Sequence, residues 1–291
     1  MSGAGSSRRD RRIRALRGSK AAVDPDRPVA VSVESERRIG AAPRRVAVVF
    51  LVGRECPFTC VFCDLWRSTL DGPTPAGALP RQIDLALEEL GVRGGGCSGI
   101  KLYNASNFFD PLAVPDGDLE AIARRVGDFE RVTVESHPRL IGERAFALMR
   151  RLPGRLEVAM GLESVHPEVL PRLNKSMRVD DFDRAAAALA RRSAGVRAFV
   201  LLGVPFLAPE AQVEWTLRAT EHALGAGAGR VSIIPVRGGN GEMERLEALG
   251  RWSPPTLAQL EDAVELGQRL AGGIVTADLW DLELLSTCDA C

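Results

Sequence analysis

The sequence has little of what marks a fibre, a membrane protein or a disulfide scaffold. Its 291 residues include one tyrosine, three histidines and three lysines, and aromatic residues make up 5%. No stretch approaches the roughly 18 consecutive apolar residues of a membrane span, and the first thirty residues lack the apolar core of a secretory signal. A cytoplasmic protein with no membrane partner is expected. Six cysteines are too few for a disulfide framework in a chain of this length. Net charge is missing too, since 38 basic and 38 acidic residues cancel. A hydrophobic share of 45% is that of an ordinary globular domain, long enough to bury about three quarters of its unfolded surface.

What is present is unevenly placed. Twelve basic and five acidic residues fall within residues 1–45, a surplus of seven, so the remainder carries minus seven. Residues 1–44 read as a basic, flexible, disordered arm, helical at most around residues 9–16. Its arginine run from Arg8 to Arg17 is a candidate phosphate-binding tail. Residues 45–240 read as the core, and residues 241–291 as a C-terminal helix with a short Cys-x2-Cys extension.

Within the core, apolar β-branched runs at 46–52, 100–103, 131–135, 156–160, 196–202 and 231–235 alternate with segments of helical periodicity at 81–90, 118–126, 143–152, 180–192, 210–224 and 257–270. This βα order implies an α/β fold with parallel strands and right-handed crossovers. An open sheet and a barrel both satisfy it. A doubly wound sheet calls for Gly-x-Gly-x-x-Gly after its first strand, whereas here a cysteine loop follows, which favours a partial (β/α)6 TIM-like barrel. Either way the chemistry belongs at the carboxyl ends of the strands.

The loop places Cys56, Cys60 and Cys63 in Cys-x3-Cys-x2-Cys spacing. A closed structural metal site uses four protein ligands; three leave one coordination position for something else. The alternative is a zinc-stabilised binding module, its loop completed by Cys97 or by Cys288 and Cys291.

The loop, directly after a first strand, resembles the defining motif of the radical S-adenosylmethionine (SAM) enzymes. The resemblance implies a [4Fe-4S] cluster on the three cysteines, SAM on the open iron, and reductive cleavage of SAM to a hydrogen-abstracting 5′-deoxyadenosyl radical. By the same resemblance, Phe62 lies against the adenine. Asn104 and Ser106, in a turn like that of the elongator and methylthiotransferase branch, contact the SAM amino group. Glu135 and Glu163 bind ribose hydroxyls, and Lys175 (or Arg178 in its place) neutralises the SAM carboxylate. The turn Gly203-Val204-Pro205 shapes the adenine pocket, although Phe199 stands where that branch often has an acidic residue. The turn at 104–110, the Glu163 stretch and the cysteine-rich end look most like the radical SAM subunit of archaeosine synthase and its bacterial relatives. That implies SAM, a tRNA substrate and a reducing partner such as flavodoxin or ferredoxin; the same chemistry on a small metabolite or peptide is the alternative.

Overall fold

The computed structural model of the chain describes residues 7–92, 95–153, 156–270 and 272–285. Eight strands form one sheet in sequential order. A helix α1 (Arg8–Leu16) and strand β1 (Ala30–Arg38) precede β2 (Ala41–Phe50), which runs antiparallel to β1. There follow α2 (Ala78–Glu89), β3 (Gly99–Tyr103), α3 (Asp116–Val126), β4 (Arg131–Glu135), α4 (Glu143–Arg151), β5 (Leu156–Glu163), α5 (Val179–Ala190), β6 (Gly195–Leu202), α6 (Gln212–Gly225), β7 (Arg230–Pro235), α7 (Glu242–Ala248), α8 (Leu257–Gln268) and β8 (Ile274–Ala277). From β2 to β8 every pairing is parallel. Each crossover helix lays one apolar stripe on the outside of the sheet, as α2 does with Leu79, Ile83, Ala86 and Leu87.

The sheet curls into a partial barrel. Tyr103 on β3 touches Phe199 on β6 although β4 and β5 lie between those strands, and Arg197 on β6 pairs with Glu36 on edge strand β1. Side chains of non-adjacent strands can meet only across an interior. The amino-terminal end of that interior is closed by charge: buried Glu36 and Glu157 are shared among Arg197, Arg44, Lys101 and Arg131. Removing one partner from such a buried set costs about 3–5 kcal/mol, because the other is left unpaired.

The partial parallel barrel is the expected one, but three details need correction. The expected six strands are eight. The segment read as a disordered arm has the helix allowed for it, over residues 8–16, but also an unexpected strand over 30–38, and β1 supplies the barrel floor with Glu36. Ser7 and Asp10 form a capping box that starts α1, and Ile13 is buried among Val61, Leu173, Met243 and Leu246. The barrel also continues past residue 240, since β8 pairs with β7 and α8 packs on α6.

Candidate functional site

The carboxyl ends of β2 to β6 converge on the cysteine loop. Cys56, Cys60 and Cys63 are half-buried. Burial pushes all three thiols up, Cys63 to about 12, and for Cys60 and Cys63 the neighbouring cysteines add to the effect. Asn240 holds the loop by donating to the Val61 carbonyl at 2.9 Å, and the Val61 amide donates to the Leu173 carbonyl at 3.0 Å. Asn174 Nδ2 donates to the Thr59 carbonyl, to Thr59 Oγ1 and to Asp10 Oδ1, each at 2.8 Å, so α1 is latched onto the loop. Burial opposes ionisation of Asp10, but hydrogen bonds from Thr59, Asn174 and Ser7 hold its carboxyl well below the usual range.

A second chain of contacts ties the loop to the strand ends. Asn107 Nδ2 donates to Cys56 Sγ at 3.1 Å, while its Oδ1 accepts from the His137 amide at 2.7 Å. His137 Nδ1 accepts from the Arg139 amide, which leaves Nε2 to donate to the Lys175 carbonyl at 2.9 Å. Burial and nearby Lys175 lower His137 to about 3, so the ring is neutral, and Phe58 of the loop stacks on it with centroids 4.0 Å apart. Neither Asn107 nor His137 was flagged by the sequence pattern. Both sit within two residues of segments that were, Asn104–Ser106 and Glu135.

Of the residues expected to contact SAM, Asn104, Glu135, Glu163 and Lys175 lie near one another, whereas Phe62 packs in a separate cluster. Asn104 is fully buried with both amide side-chain atoms lacking any partner, and Ser106 Oγ is likewise unpartnered. Such orphaned groups are costly unless a ligand satisfies them. The Asn104 amide donates to Glu135 Oε1 at 2.8 Å; burial nevertheless raises the Glu135 carboxyl to about 7. Lys175 and Glu163 form a buried ion pair, and although burial opposes it, Glu163 keeps the Lys175 ammonium charged. Their terminal atoms occupy the space above Gly161, where any Cβ would collide with both. Glu163 itself adopts φ +66°, as do Ala105 at +51° and Asn174 at +58°. Left-handed backbone at non-glycine residues is strained, and here it gathers at the strand ends. Phe62 is half-buried and packs with the cluster around Ile13 and Val61. Gly203, at φ +80°, lies where a side chain would strike Pro255, and Gln212 Oε1 accepts from the amides of Gly203 and Val204.

Cys97 does not join the loop. It precedes β3, whose five residues put roughly 16 Å between it and the carboxyl ends. Cys288 and Cys291 lie outside the described residues. Among the described residues, no three His, Cys, Asp or Glu side chains converge as one metal ion would require. Three soft thiols spread too widely for a single ion, in a site with orphaned polar groups, suit in their donor chemistry an iron–sulfur cluster with a small polar ligand beside it.

The family model of the Radical SAM superfamily matches residues 50–211. No curated protein matches the chain. Among solved structures, Elp3 of the archaeon Methanocaldococcus infernus superposes with a TM-score of 0.56 at 16% identity, over 80% of this chain and 56% of that one. The coproporphyrinogen III oxidase HemN of Escherichia coli gives 0.47 at 15%, over 88% and 54%. The chain thus spans little more than half the length of either structure, and at 16% identity the likeness to Elp3 concerns the fold. With its cysteine loop at the mouth of a partial barrel and a family match over more than half its length, the chain belongs to the radical SAM superfamily.

Proposed function

We propose that Cys56, Cys60 and Cys63 hold the cluster and that the enzyme modifies a nucleoside in tRNA, in the manner of the archaeosine synthase subunit its motifs resemble. Cluster and SAM together supply a 5′-deoxyadenosyl radical able to abstract hydrogen from an unactivated carbon. The protein's share is orientation and exclusion of water. Lys175 offers its ammonium to the SAM carboxylate, relieving its buried pairing with Glu163, which then turns to a ribose hydroxyl. Asn104 and Ser106 meet the amino group with atoms that otherwise have no partner, and Glu135 accepts from the second hydroxyl. Phe62 lies against the adenine.

The observation that carries the tRNA reading is the position of α1. Asp10 and Ile13 dock it beside the cysteine loop while Arg8 and Arg14 remain exposed, which sets positive charge next to the active site on an otherwise acidic domain. Phosphate contacts of this kind make binding salt-dependent. The test is an anaerobic reaction with bulk tRNA followed by nucleoside mass spectrometry, together with RNA binding by the Arg8→Glu/Arg14→Glu double variant. A new nucleoside mass, and a shallower salt dependence in the variant, are expected. If tRNA is unchanged while small metabolites or peptides stimulate SAM cleavage, the tRNA reading is wrong.

A further inference from the structure

The barrel interior below Glu135 is walled by aromatic rings that reach across it. Tyr103 and Phe199 meet edge to face with centroids 6.5 Å apart, and since two strands separate β3 from β6, the contact spans the interior. Phe50, the register partner of Tyr103, lies 5.9 Å from it and meets Trp280 edge-on at 5.7 Å. Trp280 follows β8, at the far edge of the sheet from β1 and β2, so this contact bridges the open seam of the barrel. Arg237 anchors the segment, donating to the Trp280 carbonyl and to Asp278.

These rings are not ordinary core. Phe108 and Phe182, which are core, are 0% exposed, whereas Phe50, Tyr103 and Phe199 are only half-buried and Trp280 is 56% exposed. In a chain so poor in aromatics, four have been spent on one half-open space. Beside Phe199 the wall becomes small and polar, because its register partner Ser232 and that residue's partner Thr276 share the same face and are half-buried. The floor is the closed Glu36–Arg197–Glu157 network.

We infer that the substrate taken by this interior is a planar heteroaromatic ring carrying hydrogen-bond donors, gripped through its π-faces by Phe199, Tyr103 and Trp280 and read at its edge by Ser232 and Thr276. A flat ring uses the aromatic quadrupoles of these partly exposed side chains; a saturated ring or an aliphatic chain does not. The inference rests on the proposed radical chemistry and deepens it, since a single base turned out of an RNA strand is such a ring.

The test is calorimetric titration of SAM-loaded holoenzyme with guanosine and, as a ring-free comparison, ribose. Guanosine should bind and ribose should not. Phe199→Leu and Trp280→Leu should each weaken guanosine about tenfold, while Trp215→Leu, outside the barrel against His166, stays within twofold. Trp280 is largely exposed, so that variant folds even if Phe199→Leu does not. Absence of guanosine binding, equal binding of ribose, or unchanged affinity in the Trp280 variant overturns the inference. Release of 5′-deoxyadenosine by the unaltered enzyme is read separately: its absence counts against the radical reading, whereas release without guanosine binding counts against the pocket alone.

Discussion

Gly161 is the residue on which the Glu163–Lys175 ion pair depends. Glu163 and Lys175 fold back over its bare Cα, and a methyl group there would displace both. Gly161→Ala should therefore lower SAM affinity about tenfold, measured by equilibrium dialysis of holoenzyme, with little change in the far-ultraviolet circular dichroism. Glu135 gives a pH-dependent test. Its folded-state value of about 7 lies above the ordinary 4.5, so between those values the folded state keeps a proton that the unfolded chain has lost, and stability falls as pH rises through the window. Glu135→Gln removes this penalty. In urea unfolding of the cluster-free protein, the variant should be more stable than the parent by about 3 kcal/mol at pH 8, and the difference should vanish below pH 4.5. At this scale the sequence singles out residues that sit in a spaced motif, as the three cysteines, Asn104 and Glu163 do. It was silent on Asn107 and His137, whose roles come from contacts between loops of different strands.

Helix α1 is the element whose meaning changes most between sequence and structure. Six arginines in ten residues read as a solvated arm, yet one buried isoleucine and one capping aspartate are enough to seat it on the cysteine loop. Ile13→Ala should cost about 2 kcal/mol of local stability. Amide hydrogen exchange should then show protection lost across residues 8–16 while β3 to β6 keep theirs; unchanged protection of α1 would mean that Ile13 does not anchor it. Strands β2 to β7 were legible because both of their faces are covered, giving continuous apolar runs. Strand β1 was not, because its inward residues Glu34 and Glu36 are charged and find their partners on β3 and β6. Strand β8 is only four residues long, too short for a pattern to show. Deleting residues 1–44 would thus remove part of the barrel as well as a basic surface.

On the scale of the whole molecule, the cancelled net charge resolves into two working parts. Acidic groups form the barrel floor and the strand ends, while the basic surplus of the N-terminal segment is partly spent holding the cysteine loop, through Arg17 to Glu55 and Lys20 to Glu55 and Asp71. The βα order made the parallel barrel legible, and the cysteine spacing located its active end. The aromatic interior was hidden because it joins residues from opposite sides of a closed shape. The claim that unites these parts is that the three cysteines hold a cluster which cleaves SAM. It is tested most directly by reconstituting the protein anaerobically with iron and sulfide, reducing it, and measuring 5′-deoxyadenosine released from SAM beside the Cys56→Ala/Cys60→Ala/Cys63→Ala variant. The account predicts about four irons per chain and steady release from the parent, with neither in the variant. Equal release from both proteins, or zinc in place of iron and sulfide, would contradict it.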